Sequence, residues 1–163
     1  MVIIMEEFTL SLALVDFVPV LAFGAAIIMI SAGFDSKLFL FGAIISLLAG
    51  VFKVLWKLIL GTTKKDVKWL NKSFIPMQSG GWLIMLLGII CNVGKIDFAK
   101  LLAAVIGMPQ LIFFILWLGL MGTMIWYKKN KFERYSAKKN WTAEIINSCA
   151  QVCLLVAVIC AVK

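Results

Sequence analysis

Five long apolar runs dominate this sequence and leave it few ways to fold. They cover about residues 8–31, 38–60, 74–91, 101–126 and 142–162. A helix that crosses the hydrocarbon core of a bilayer needs roughly 20 mostly apolar residues. Apolar residues follow one another within each run, without the alternation of a lipid-facing barrel strand. The expected fold is therefore all-α: a polytopic integral membrane protein, one transmembrane domain over residues 1–163, built as a bundle of five transmembrane helices. Pro76 suits the first turn of the third helix, and Pro109 predicts a kink in the fourth. Asn140 or Thr142 is the expected N-cap of the fifth.

Composition closes the other routes. Hydrophobic residues make up 63% of the 163 positions and charged residues 15%, against about 45–50% and about 25% in soluble domains. So few polar groups cannot coat a soluble domain, and a disordered chain or a secreted disulfide scaffold is excluded with it. The N-terminal segment carries Glu6 and Glu7 and no early Lys or Arg. It lacks the basic start of a cleavable signal peptide, so the first helix is expected to be retained.

The 16 basic residues outnumber the 8 acidic ones, for a net charge of +8. They gather in two connections. One holds Lys64, Lys65, Lys68 and Lys72; the other holds Lys128, Lys129, Lys131, Arg134, Lys138 and Lys139. Short basic loops stay in the cytoplasm. A multi-pass protein of the cell membrane is expected, with a cytoplasmic N-terminus and an extracytoplasmic C-terminus. Trp69, Trp126, Tyr127 and Trp141 then fall at the inner boundary, where interfacial aromatics belong. The positive charge reads as a topology signal and as contact with anionic membrane lipids. No segment is long enough for a soluble nucleic-acid module, so no nucleic-acid partner is expected.

Residues 17–60 align without gaps on residues 74–117, at an offset of 57. Phe17/Phe74, Pro19/Pro76, Gly24/Gly81, Ile27/Ile84, Phe41/Phe98 and Gly50/Gly107 are identical. Read as a tandem repeat, each unit is a helical hairpin, and transporter sites often lie where such units meet. Apolar runs also reach six identities in 44 positions by coincidence.

An ionisable group inside a membrane is costly, which makes it a functional candidate by default. Asp16, Lys53, Lys57 and Glu144 fall inside the runs. At about 1.5 Å of rise per residue, Asp16 and Lys53 both sit roughly 12 Å deep, so an Asp16–Lys53 pair is expected. Lys57, one turn shallower, is expected to snorkel to the headgroups. Glu144 is expected at the interface, near the entry of the fifth helix. Gln78 and Ser79 follow Pro76, and Glu144, Asn147, Ser148 and Gln151 recur at a spacing of three to four on one helix face. The expected ligand- or ion-binding set is Asp16, Lys53, Gln78, Asn147 and Gln151, around a cavity open to the cytoplasm. The competing account is that these residues hydrogen-bond helices to one another.

Small residues mark close helix packing: Ala22, Ala25 and Ala26; Gly42, Ser46, Ala49 and Gly50; Gly80, Gly81 and Gly88; Gly119 and Gly122. One such face could serve a homo-oligomer. Catalytic signatures are missing. The chain has no His, and neither HExxH, a Walker A loop nor GxSxG occurs. No catalytic residue, metal or cofactor is assigned. Cys149 and Cys153 share a helix face and act as small apolar residues. Cys91 and Cys160 fall near the outer boundary, where a disulfide requires the third and fifth helices to touch.

The expected function is binding or transport of a small solute or ion through a cytoplasm-facing polar pocket. The alternatives are a non-catalytic accessory or assembly subunit of a membrane complex, and a membrane-embedded lipid-modifying enzyme.

Overall fold

The computed structural model describes residues 9–33, 36–130 and 136–162, without the side chain of Ala137. Glu6, Glu7, Lys131 and Arg134, on which part of the charge argument rests, lie outside the described residues.

Among the described residues seven α-helices run in order: α1 (Leu10–Val15), α2 (Phe17–Gly33), α3 (Lys37–Thr63), α4 (Lys68–Cys91), α5 (Phe98–Ile106), α6 (Gln110–Asn130) and α7 (Ala137–Val162). Five stretches are long and apolar enough to cross a membrane: α1 with α2, then α3, α4, α6 and α7. The protein is an all-α, multi-pass membrane protein.

Proline explains the break within the first span. Pro19 has no N–H, and its ring crowds the carbonyl four residues back, at Val15. The helix is interrupted there and resumes at Phe17, with Asp16 at the joint. Ser36 caps α3: its hydroxyl accepts from Phe39 N at 3.3 Å and from Asn92 Nδ2 at 3.0 Å. At the far end of α3, Lys64 turns the chain with a positive φ of 57°.

Three boundaries differ from expectation. α4 begins at Lys68 rather than near residue 74, so Pro76 lies inside the helix and not in its first turn. The expected fourth span, 101–126, is two elements. α5 stops at Ile106 and α6 starts at Gln110, because Gly107 favours a helix end and Pro109 cannot continue one. α7 starts at Ala137, so Asn140 and Thr142 are interior residues that donate back to Ser136 O and Lys138 O. The break at 107–109 bears on the repeat as well. α3 is a continuous helix of 27 residues, whereas its aligned counterpart holds a 3-10 turn, the 9-residue α5 and the start of α6.

The membrane helices form an arc in the order α4, α3, α2, α7, α6, each packed on the next. The two ends of the arc, α4 and α6, make no contact among the described residues. The α3–α4 seam is the tightest. A Cβ on Gly42 would stand 2.6 Å from Gly81 O, and one on Gly88 would stand 2.6 Å from Phe39 N. Glycine there lets the two backbones touch, which is how membrane helices gain packing without a hydrophobic drive.

Apolar clusters fill the two ends of the arc. Leu12, Trp56, Leu60 and Leu70 close the end that carries the basic connections. Ile27, Phe39, Ala43 and Met85 pack toward the opposite end, and Ala26, Leu154 and Val158 join α2 to α7. Outward-facing Leu21, Ile75, Ile90 and Ile125 are largely exposed, as lipid-facing residues are. Between the end clusters the interior is polar.

Candidate functional site

Three charged side chains meet where α1–α2, α3 and α7 come together. Lys57 Nζ lies 2.9 Å from Asp16 Oδ2 and also donates to Glu144 Oε1. All three residues are 2% exposed. Each lies six or seven residues inside its helix end, which is roughly 10 Å of helix rise. The proline-induced break at Asp16 puts its carboxylate level with the other two. Leu12, Leu60 and Trp141 lie about one turn nearer the basic end than the triad and, with Trp56 packed among them, cover it there. Trp56 Nε1 donates to Asp66 Oδ1 at 2.8 Å, which ties the α3–α4 connection over the cluster.

This corrects the expected pairing. Lys57, not Lys53, partners Asp16, and it does not snorkel; Glu144 is not interfacial. Depth alone left the two lysines ambiguous, because they are one turn apart on α3. Burial of a charge is tolerated only with good pairing, and Lys57 is the lysine that reaches both carboxylates.

Lys53 points elsewhere. It lines a cavity of about 250 Å³ bounded by α2, α3, α4, α6 and α7, between the unconnected ends of the arc. Its Nζ stands 4.8 Å from the centroid of the Phe74 ring, a cation–π contact. Lys128 of α6 lines the same cavity. Neither lysine has a carboxylate within ion-pair distance among the described residues. Gln78 donates to Ser46 O at 3.1 Å and accepts from Trp82 Nε1 at 2.9 Å, which fixes it across the α3–α4 seam. Gln151 Nε2 reaches Asn147 Oδ1 and Met121 Sδ, both at 3.5 Å.

Three buried polar atoms of the cavity wall have no hydrogen-bond partner: Ser46 Oγ, Trp117 Nε1 and Gln151 Oε1. Buried polar groups are paired in the great majority of cases. Each of these atoms is itself closed off from solvent, and Ser46 Oγ lies against Gly81 on the α3–α4 seam, so it is the shared wall of Lys53, Gln78, Lys128, Asn147 and Gln151 that marks the space. A larger crevice of about 620 Å³ opens at the other end of the bundle, under α5. Its walls are apolar apart from Asn92, Lys95, Asp97 and Lys100, and no orphaned atom lines it. The smaller cavity is the better candidate site.

Of the residues expected at a site, Lys53, Gln78, Asn147 and Gln151 come together on this wall, and Asp16 does not. Asp16 belongs to the neighbouring triad. Ser46, Trp117 and Lys128 escaped the sequence reading. Lys128 was absorbed into the basic connection, although Trp117, Met121, Met124 and Lys128 repeat at the spacing of a single helix face.

Among the described residues no carboxylate, histidine or cysteine lines the cavity. The four cysteines are free, Cys91 and Cys160 included. Among the described residues no three His, Cys, Asp or Glu side chains gather as metal ligands would. Comparison with known protein families, curated proteins and solved structures finds no match.

Proposed function

We propose that this protein binds, and as a transporter moves, a small solute at the cavity walled by Lys53, Gln78, Lys128, Asn147 and Gln151. The observation that carries this is the gathering of Lys53, Gln78, Lys128, Asn147 and Gln151, from four different helices, on the wall of one cavity. At about 250 Å³ that space is just below the roughly 300–1,000 Å³ of drug-sized sites, which suits a small molecule. By the positive-inside rule the basic connections face the cytoplasm, so the cavity belongs to the cytoplasmic half of the cell membrane. With five spans, the N-terminus is then cytoplasmic and the C-terminus extracytoplasmic. The buried triad holds α1–α2, α3 and α7 in register and is the scaffold of the site. Asp16 acts through that scaffold, not as a contact for the solute.

Purified protein is screened by thermal unfolding against water-soluble anions, cations and neutral solutes. A binder raises the midpoint by mass action, and Gln151→Leu removes the shift. Counterflow of that solute in proteoliposomes then separates transport from binding alone. If no solute of any class moves the midpoint, the binding reading fails.

A second reading has one observation behind it. α6 is the least covered span, with Met124 its only buried residue, and it faces the open end of the arc. A second copy, or a larger complex in which this chain is an accessory subunit, would cover it. A stoichiometric partner retained through native-detergent purification supports that reading; a homogeneous monomer contradicts it.

A further inference from the structure

We infer that the occupant of this cavity is a small organic monoanion, with its oxyanion end at Lys53 and Lys128 and its apolar body against the aromatic wall. The inference rests on the solute-binding reading above and adds the class of solute.

Charge is the first support. Lys57 is the lysine paired with Asp16 and Glu144, and Lys53 and Lys128 line the cavity with no carboxylate within ion-pair distance among the described residues. The two carboxylates are committed to Lys57. The positive charge of the cavity therefore lies on Lys53 and Lys128, and among the described residues no carboxylate lines that wall. An anion entering the cavity is attracted to both ammonium groups. A cationic solute would meet two ammonium groups and no acceptor of opposite charge.

Hydrogen-bonding capacity is the second. Trp117 Nε1 is a donor only, and the lysine ammonium groups donate without accepting. Trp117, Asn147 and Gln151 lie on the same wall as the two lysines. An oxyanion satisfies the donors, and a hydroxyl or a water carried with it satisfies Gln151. Shape is the third. Phe23, Phe74, Trp82 and Trp117 supply ring surface, so a bare inorganic ion would leave apolar wall uncovered. The gap between α4 and α6 is a side entrance that suits either a free anion or the headgroup of an anionic lipid.

The test uses one ring in three charge states, benzoate, benzamide and benzylammonium, with ethyl phosphate as a second anion. Quenching of tryptophan fluorescence is read on full-length protein in phosphatidylcholine nanodiscs, with Trp117→Phe to assign the signal. Benzoate or ethyl phosphate is expected to bind at least tenfold more tightly than benzamide, with no binding of benzylammonium. Lys53→Met and Lys128→Met are each expected to weaken the anion at least tenfold, and Lys53→Arg to restore it. Nanodiscs containing phosphatidylglycerol separate the two sources: a headgroup occupant competes with benzoate, and a free anion does not. Tighter binding of benzamide or benzylammonium, lost in Gln151→Leu, overturns the anion and leaves the solute site standing. Binding of no probe overturns the anion inference, and the broader solute screen then decides the site itself.

Discussion

Lys53 and Lys57 are the same residue type, one turn apart on one helix, and they live in opposite surroundings. Lys57 is closed in, 2% exposed, and held by two carboxylates. Lys53 stands a few ångströms away on the wall of an open cavity, with an aromatic ring for company and no acid. The contrast teaches that charge within a membrane is not one category. A lysine whose partners fill its coordination is part of the frame. A lysine on a cavity wall without a carboxylate in ion-pair distance is placed for something that arrives.

The largest effect that sharpens this contrast belongs to Lys57→Met. It leaves two buried carboxylates facing each other without an ammonium, and breaking such a cluster costs about 3–5 kcal/mol. Unfolding in mixed detergent micelles should show most of the folded population lost. A variant as stable as the parent would mean that the triad is not the frame.

Much of the frame was legible in the sequence and the partnership was not. Runs of apolar residues indicate the five spans, because only helices and closed barrels satisfy backbone groups in lipid. The clustering of Lys53, Gln78, Asn147 and Gln151 was legible too, since helical spacing and depth bring polar residues of neighbouring helices to one level. Two things were hidden. Depth resolves one turn poorly, so Lys53 and Lys57 could not be told apart; only the break that Pro19 makes before Asp16 decides which lysine the carboxylate meets. The split of the fourth run at Gly107 and Pro109 was also hidden, since proline inside membrane helices is tolerated as a kink and composition does not distinguish a kink from a stop.

Next in size is the seam that carries both lysines. Gly81→Ala places a methyl 2.8 Å from Gly42 O and 2.9 Å from Ser46 N, and overpacking of this kind costs about 1–3 kcal/mol. Its neighbour Gly80 has nothing within 4 Å, so Gly80→Ala should be neutral or gain up to about 1 kcal/mol from helix propensity. Equal stabilities for the two variants would count against the close approach of α3 and α4.

Lys53→Met should be mild by the same measurement. It removes the contact with Phe74, worth about 1 kcal/mol or less, while solute binding is lost. A destabilisation comparable to Lys57→Met would erase the distinction between the two lysines.

The smallest effect lies at α5, far from both. Asp97 caps that helix by accepting from Lys100 N at 3.1 Å, and this hydrogen bond holds its carboxylate below the ordinary value. A depressed value means that the cap is fully present above the unfolded carboxylate pKa of about 3.9 and fades as pH falls through the folded value. Amide protection at the start of α5, taken relative to the intrinsic exchange rate at each pH, should fall on acidification in the parent and stay constant with pH in Asp97→Ala.

The central claim is that a solvent-reachable polar cavity adjoins a dry ion triad, and one labelling experiment meets it directly. Asn147→Cys is placed in a background with Cys91, Cys149, Cys153 and Cys160 changed to Ser, in sealed vesicles. It is then exposed to a charged, membrane-impermeant thiol reagent from the side of the basic connections. The account predicts rapid labelling in the folded protein, and slower labelling once a bound solute fills the cavity. Labelling that appears only after unfolding would show the wall to be dry, and would reduce these polar residues to contacts between helices.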